Sequence, residues 1–326
     1  MGQRDVISNI SEGAFFLMEQ LRSLSALLEY AKKIGAEKGK KKISVAKADD
    51  TGLLTALEEA RVSGIADFYL VGDEKAIKAA AEKVGVDVAN YEIVDACSEP
   101  EIALEAVKLV SSGKADVYMK GQIHTNHFLR GMLNKEVGLR RGKNTISHCY
   151  FHQVKGFDRI FFITDAAFNM YPDLSQKAQI VQNTVNLARA FGVECPKVAV
   201  LAAVEVVNPD MPATLDASAL AQMNARGQIK NCIVDGPFAL DNAVSEESAK
   251  TKGISSPVAG KADVFLVPNI DAGNMLAKAI VYFSENETAG MILGAAAPII
   301  LTSRADSPRA KLMSIAAAVV HADFGK

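Results

Sequence analysis

The sequence predicts an α/β protein in which parallel strands are joined by helical crossovers. Short runs rich in β-branched residues alternate with longer stretches whose apolar residues recur at helical spacing. Several of the short runs are almost continuously apolar, which is typical of strands covered on both faces. At roughly 150 residues per domain, the 326 residues correspond to about two domains.

The two periodicities place the individual elements along the chain. The predicted strands are residues 42–46, 67–71, 91–94, 117–119, 159–164, 198–203, 232–235, 264–267 and 298–301. Amphipathic helices are predicted over 53–62, 74–83, 99–111 and 175–191, with one or two further helices within 12–40. A last helix over 310–320 follows Ser307, a good N-cap, and Pro308, a good first helical residue. The residues around His148 are predicted to be extended.

Composition and charge exclude several classes of protein. The formal net charge is −2, and the chain lacks the concentrated basic excess of a nucleic-acid binder. A hydrophobic content of 49% argues against a mainly disordered chain. The sequence shows neither the run of about 18 apolar residues that spans a membrane nor a secretory signal. A cytoplasmic protein with no nucleic-acid or membrane partner is therefore expected.

The cysteines and histidines predict neither a disulfide framework nor a metal site. The four cysteines form no CxxC pair and are expected to be buried free thiols. His124 and His127 are three residues apart and His148 and His152 four apart, but neither pair has an acidic ligand at a recognised spacing. In an extended segment, a spacing of four places two rings on one face without making them converge. No metal ion is expected.

The common nucleotide and hydrolase motifs are absent from the sequence. It contains no GxxxxGK[ST], no GxGxxG after an early strand, no HExxH and no GxSxG. This argues against a P-loop kinase, the usual dinucleotide fold, a zinc protease and an α/β-hydrolase. Because ligands of open parallel sheets bind beyond the carboxyl ends of the strands, polar residues that follow predicted strands become the candidate site residues.

Three clusters of polar residues follow predicted strands. The first follows 117–119 and contains Lys120, His124, Thr125 and Arg130. The second follows 264–267 and contains Asn269, Asp271 and Asn274. In the second cluster backbone N–H groups could approach an anion, but a plain loop with an Asp or Asn cap explains it equally well. The third follows 298–301 and contains Thr302, Ser303 and Arg304. Its hydroxyl and guanidinium groups beside a helix N-terminus suit a phosphate or a developing oxyanion.

Seven segments resemble the phosphate acetyltransferase/phosphate butyryltransferase family and occur in the family's order. They are residues 44–46 with Asp49 and Asp50, 120–125, 162–167, 196–201, 235–241, 268–274 and 302–308. The resemblance covers about residues 40–326. The SRADSP sequence at 303–308 and the KISVA sequence at 42–46 are more similar to the butyryl branch than to the acetyl branch.

The resemblance implies two α/β/α domains with mainly parallel sheets, related to isocitrate dehydrogenase, with an active-site cleft between them. The first domain would comprise residues 1–152 and 295–326, with a helical extension over 1–40, and the second residues 153–294. The family transfers an acyl group reversibly between coenzyme A and inorganic phosphate, with no cofactor or metal. A homo-oligomer and a pathway neighbour, an acyl (butyrate) kinase, are also implied.

The resemblance also assigns roles to individual residues. Ser303 and Arg304 match the family's catalytic Ser-Arg pair, and Arg130 matches an arginine of the cleft to within one residue. Ala310 stands where the acetyl branch has an acidic residue, so Asp306, the nearest acid, becomes the candidate base. The residues expected to bind coenzyme A or phosphate are Lys120, His124, Thr125, Arg130, Thr164, Asp165, Asn269, Asp271, Asn274 and Thr302.

The expected mechanism is direct attack of a phosphate oxygen on the thioester, with Ser303 and Arg304 stabilising the oxyanion. A ping-pong route through a cysteine such as Cys149 is the competing mechanism. Three other functions stay open. The acyl group could be acetyl, and the chain could be a non-catalytic relative that binds coenzyme A or acyl phosphate. A dehydrogenase on the same fold would need a metal-binding Asp cluster, which Asp235 and Asp241 do not obviously form.

Overall fold

The computed structural model describes residues 21–303 and 306–324. These residues divide into two compact units. The flanking unit comprises the described residues of 27–146 and 289–326, and the central unit comprises 147–288 with the described residues before 27. The domain boundaries implied by the resemblance, at 152/153 and 294/295, stay a prediction.

The flanking unit alternates strands with helices. One helix and one strand cross a boundary between the units, and each is assigned to the unit that contains most of its residues. Its elements are α1 Leu24–Lys38, β1 Lys41–Ala46, α2 Thr51–Val62, β2 Ala66–Gly72, α3 Glu74–Lys83, β3 Glu92–Asp95, α4 Glu99–Ser111, β4 Val117–Lys120, α5 Thr125–Met132, β10 Asn286–Leu293, β11 Ile299–Ile300 and α11 Pro308–Phe324. The strand order is β3-β2-β1-β4-β11-β10. All neighbours are parallel except β10 and β11, which are antiparallel.

Local sequence explains where these helices begin. The side chains of Asp50, Asp73 and Ser98 accept hydrogen bonds from backbone N–H groups in the first turns of α2, α3 and α4. Ser307 accepts from the amide of Ala310 at 3.2 Å, so its predicted capping role at α11 is confirmed. Buried apolar residues of β1, β2 and β4 form the middle of the unit, as expected for strands covered on both faces.

The central unit has the same alternating plan. Its elements are β5 Ser147–Val154, β6 Ile160–Thr164, α6 Leu174–Ala190, β7 Lys197–Leu201, α7 Pro212–Ala225, β8 Ile233–Phe238, α8 Leu240–Val244, α9 Glu246–Thr251, β9 Val264–Leu266 and α10 Ile270–Phe283. The strand order is β5-β6-β9-β7-β8, with β5 antiparallel to β6 and the other pairs parallel. Phe151, Phe162 and Phe191 pack together with ring centroids between 5.4 and 6.2 Å apart.

The cysteines differ from the prediction. Cys149 is buried and Cys232 is partly buried, but Cys97 and Cys195 are exposed. The expectation of buried thiols is therefore wrong for two of the four. Cys97 lies between β3 and α4, and Cys195 lies in the turn before β7, where the chain runs over the surface. In the part of the chain that the structure describes, no helix is both long and apolar enough to cross a membrane.

Candidate active site

Three parallel strands of the flanking unit end at one edge of its sheet. The register pairs Ala46 at the end of β1 with Lys120 at the end of β4, and Met119 of β4 with Ile300 of β11. The residues that follow β1, β4 and β11 therefore emerge side by side at this carboxyl edge, where open α/β sheets bind ligands. The first and third predicted clusters both belong to this edge.

The turn after β4 is packed tightly against the end of β1. The amide of Gly121 donates to the carbonyl of Ala46 at 2.8 Å, and that of Gln122 donates to the carbonyl of Lys47 at 2.9 Å. A Cβ atom on Gly121 would lie 2.1 Å from the Lys47 carbonyl oxygen, so only glycine fits. Lys120 is buried, and its ammonium donates to the carbonyl of Gly121 at 3.2 Å. The backbone of β1 thus fixes the turn that presents His124.

His124 is held by a carboxylate that the sequence analysis did not identify. Glu99, at the start of α4, accepts hydrogen bonds from the ring Nδ1 of His124 at 2.8 Å and from its backbone amide at 3.0 Å. Lys47 donates to the same carboxylate at 2.7 Å. Burial alone would raise the pKa of Glu99, but the hydrogen bonds from Lys47 and His124 outweigh it and lower the pKa to about 2. In the sequence, Glu99 is indistinguishable from an ordinary acidic residue in a first helical turn.

The turn after β11 is closed by Asp306. Its carboxylate accepts from the backbone amide of Ser303 at 2.7 Å, and its own amide donates to the carbonyl of Ser303 at 3.1 Å. Thr302 is buried and Ser303 is exposed. The ammonium of Lys311, in the first turns of α11, donates to the carbonyl of Asp306. Arg304 lies outside the described residues, so its predicted role stays a prediction.

The two remaining residues predicted in this unit lie on α5. Thr125 is its first residue and is exposed beside His124. Arg130 is exposed in the last turn of α5, about 8 Å further along the axis at 1.5 Å per residue. Lys120, His124 and Thr125 therefore form one group, whereas Arg130 stands apart from it along the helix.

The predicted residues of the central unit meet where β6 and β9 end. Asp165, directly after β6, is buried, and its carboxylate accepts from the amides of Ala167, Phe168 and Asn169 at 2.9 to 3.1 Å. Burial raises the pKa of Asp165, and these hydrogen bonds oppose the rise without cancelling it. The hydroxyl of Thr164 donates to a backbone carbonyl of β5 at 3.0 Å. Both side chains organise the loop through bonds within the protein.

The start of α10 packs on this loop. Asn269 caps the helix by accepting from a backbone amide of its first turn at 3.0 Å, and Asn274 donates to the carbonyl of Ala166 at 3.2 Å. Tyr171 donates to Asp271 at 3.1 Å. The structure therefore brings together all five residues predicted in this unit. The capping interpretation accounts for Asn269, and the exposed Asp271 is the acidic group of the cluster.

The buried side chains of His148, His152 and Cys149 lie on β5 and belong to neither cluster of predicted site residues. His148 and His152 lie on one face of β5, with the ring of Tyr150 packed against both. Burial lowers the pKa of His148 to about 3 and that of His152 to about 4, so both rings are neutral near pH 7. Burial raises the pKa of the Cys149 thiol, which opposes the thiolate that a ping-pong route through Cys149 requires.

The acidic residues considered for a dehydrogenase are engaged with other partners. Asp235 accepts from the hydroxyl of Ser256 at 2.5 Å, and Asp241 pairs with Lys252 at 3.1 Å. Within residues 21–303 and 306–324, no three His, Cys, Asp or Glu side chains are grouped to hold a metal ion.

Comparison with known proteins identifies the family. The chain matches the family described as phosphate acetyl/butaryl transferase over residues 25–105 and 101–319. It is 52% identical to a phosphate butyryltransferase of Clostridium acetobutylicum over 280 residues, which cover 86% of this chain and 93% of the relative. It is 44% identical to a phosphate acetyltransferase of Thermotoga maritima over 299 residues, which cover 92% of this chain and 99% of the relative.

A solved structure supports the same assignment. The crystal structure of a branched-chain phosphotransacylase from Enterococcus faecalis V583 superposes with a TM-score of 0.76 at 30% sequence identity. The alignment covers 86% of this chain and 99% of that one. With the family match extending over nearly the whole sequence, the chain belongs to the phosphate acetyl/butyryl transferase family and is an acyltransferase.

Proposed function

We propose that the chain transfers a short acyl group, butyryl or a branched short chain, reversibly between coenzyme A and inorganic phosphate. The products are an acyl phosphate and free coenzyme A. The observation that carries the proposal is the turn after β11, where Asp306 holds the amide of Ser303 at the carboxyl edge of the sheet. The identity of 52% to the clostridial phosphate butyryltransferase, against 44% to the phosphate acetyltransferase, supports the butyryl branch.

The proposed mechanism is direct attack of a phosphate oxygen on the thioester carbonyl. The Ser303 hydroxyl and Arg304 stabilise the tetrahedral oxyanion, since donors aimed at developing charge are usually a large part of catalysis. Lys120 and Arg130 bind phosphate or the diphosphate of coenzyme A, Lys120 as a point charge and Arg130 through its planar fork. Thr125, Thr302, Asn269, Asp271 and Asn274 are the proposed polar contacts of the substrates. The base role suggested for Asp306 competes with its bond to the Ser303 amide.

No cofactor or metal takes part in the proposed reaction. The thioester is already activated, and phosphate near pH 7 is partly dianionic and attacks as it is. We also propose that the chain works in the cytoplasm beside an acyl kinase, because an acyl phosphate can pass its phosphoryl group to ADP and so yield a carboxylate and ATP. A homo-oligomer is the proposed assembly.

The first test is thiol release from butyryl-, isobutyryl- and acetyl-coenzyme A, with and without phosphate. The proposal predicts phosphate-dependent release, fastest with a four-carbon acyl group. Fastest release with acetyl-coenzyme A would keep the reaction and assign the acetyl branch, which the relative from Thermotoga maritima supports. If phosphate does not change the rate of thiol release, a non-catalytic protein that binds coenzyme A or acyl phosphate becomes the favoured function.

The same assay tests Ser303. Replacing Ser303 by Ala removes one oxyanion donor from an exposed position, so turnover should fall by about 10²–10³ while the fold survives. Thermal unfolding of the variant measures the second half of this prediction. Unchanged turnover in Ser303→Ala and in Arg304→Ala would show that the catalytic pair is elsewhere.

A further inference from the structure

We propose that His124 carries a proton between phosphate and the sulfur of coenzyme A, and that Glu99 is the positioning residue that orients its ring. The inference rests on the proposed acyl transfer and adds to it the group that moves the proton. It follows from the geometry at the end of β4, where an exposed imidazole is bound to a largely buried carboxylate.

The reaction requires one proton to move. When hydrogen phosphate attacks the thioester, an O–C bond forms and the C–S bond breaks, so the electron pair of that bond leaves with sulfur. The acyl phosphate product has lost the proton of the attacking phosphate, and the thiolate of coenzyme A must gain one to become the free thiol. Since an ordinary thiol has a pKa of about 8.5, the thiol is the favoured form at neutral pH. One group that accepts the first proton and donates it to sulfur balances the reaction in both directions.

The Glu99–His124 pair has the geometry of an oriented acid–base group. The side chain of His124 is 66% exposed, whereas that of Glu99 is 16% exposed. Because Glu99 is ionised with a pKa of about 2, the Nδ1 facing it carries the hydrogen, and Nε2 points away from the carboxylate. A carboxylate that fixes the tautomer and the ring plane of a histidine is the arrangement that general-base histidines use. Lys47 holds the other side of the carboxylate at 2.7 Å.

His124 follows a strand that ends at the same sheet edge as the strand before Ser303. It follows β4 by four residues, and β4 pairs in parallel with β11, whose carboxyl end leads to Ser303. Glu99 contacts its ring, Lys47 holds the other side of the Glu99 carboxylate, and Lys120 ends β4 four residues before His124. Asp306, the other acid–base candidate, fits less well, because its carboxylate is bonded to the Ser303 amide.

If the Glu99–His124 pair is purely structural, replacing the ring of His124 in a folded variant leaves kcat unchanged. Glu99 also accepts the backbone amide of His124 at 3.0 Å, so it fastens the turn after β4 whatever the ring does. The decisive changes are therefore made at His124. Asn at this position keeps a donor near the Nδ1 site but has no outer nitrogen. Arg carries a positive charge that attracts phosphate, but it does not transfer protons at neutral pH.

The test measures kcat and KM for phosphate-dependent thiol release from butyryl-coenzyme A. In His124→Asn we expect kcat to fall by about 10²–10⁴, the usual range for general acid–base catalysis. The KM values for butyryl-coenzyme A and for phosphate should stay within about threefold of those of the unaltered protein. We expect His124→Arg to be equally slow and added imidazole to restore part of the rate of His124→Asn. The matched control is His127→Asn on α5, which should stay within about twofold of the unaltered protein.

The outcomes separate this inference from the proposed function. If the unaltered protein releases no thiol in response to phosphate, the acyl transfer itself is wrong. If the unaltered protein is active and His124→Arg is equally active, no proton carrier is needed at this position and the proton role is wrong. A normal kcat in His124→Asn leads to the same conclusion. Should His124→Asn be unfolded by circular dichroism, the comparison of His124→Gln with and without imidazole decides, because rescue requires a missing proton carrier.

Discussion

A single buried charge supports the turn that carries Ser303. Lys311 is 6% exposed, and its ammonium donates to the carbonyl of Asp306. Among the described residues it has no carboxylate within ion-pair distance. Burying a charge without a counter-ion is costly, so this hydrogen bond is better explained by the geometry of the turn than by stability. The purpose that fits is to fix the carbonyl of Asp306 and, through the Asp306 side chain, the amide of Ser303.

Replacing Lys311 by Met removes this hydrogen bond while filling a similar volume. We expect kcat for acyl transfer to fall by about tenfold, because the Ser303 turn loses one of its anchors. The free energy of unfolding should change by no more than about 2 kcal/mol, since the cost of burying the charge disappears together with the bond. Steady-state kinetics and urea unfolding measure the two effects. Lys78→Met, at an exposed site on α3, is the control, and an unchanged kcat in Lys311→Met would contradict the anchoring role.

Element by element, the hydrophobic patterns predict most of the fold. The largely buried strands β1, β2, β4 and β6 lie within a residue or two of their predicted bounds. The strand β10 was not predicted, because it begins with the polar residues Asn286, Glu287 and Thr288, which suggest a loop. Strand β5 was predicted only as an extended segment, since its buried histidines break the apolar pattern. Each of these two strands is antiparallel to one neighbour, whereas the sequence patterns were interpreted as parallel strands.

The packing of α10 on the loop after β6 depends on one glycine. A Cβ atom on Gly273 would lie 2.7 Å from a methyl carbon of Val267 and 2.9 Å from the carbonyl oxygen of Asp165. Gly273→Ala should therefore destabilise the protein by roughly 1–3 kcal/mol, the usual cost of overpacking, although alanine favours helix. Gly52→Ala in α2 is the matched control, because its Cβ would meet no atom closer than 3.6 Å. Urea unfolding measures the free energy of unfolding of both variants. If Gly273→Ala is as stable as Gly52→Ala, α10 moves to accept the added methyl group without loss of stability.

On the scale of the whole molecule, sequence reasoning placed the candidate residues after particular strands but did not predict how their side chains bond. The clusters after β4, β9 and β11 follow from the rule that ligands bind at carboxyl ends of strands. The bond between Glu99 and His124 joins residues 25 positions apart in the chain, and no local pattern reports it. For the same reason, burial of Asp165 and the closure of the Ser303 turn by Asp306 were found only in the structure.

The exposed apolar side chains on and beside α10 predict a contact between two copies of the chain. Tyr171 beside the helix is 74% exposed, and Tyr282 and Phe283 at its end are 73% and 89% exposed. Each such ring buries roughly 150–250 Å² when covered, so the three supply a large part of the roughly 800 Å² per partner of a stable interface. Asp271 and Lys278 are exposed on the same helix. A two-fold contact would place the carboxylate of one copy against the ammonium of the other, which makes a second copy the fitting partner.

We therefore predict that Tyr282→Lys combined with Phe283→Lys lowers the mass of the assembly measured by light scattering, because four charges would be buried at each two-fold contact without partners. Val62→Lys is the control, since Val62 is 69% exposed on α2 and the change adds a charge at a site outside this surface. The control should keep the mass of the unaltered protein. An unaltered mass in the double variant would rule out α10 as the contact, and a monomeric unaltered protein would show that the proposed homo-oligomer is wrong.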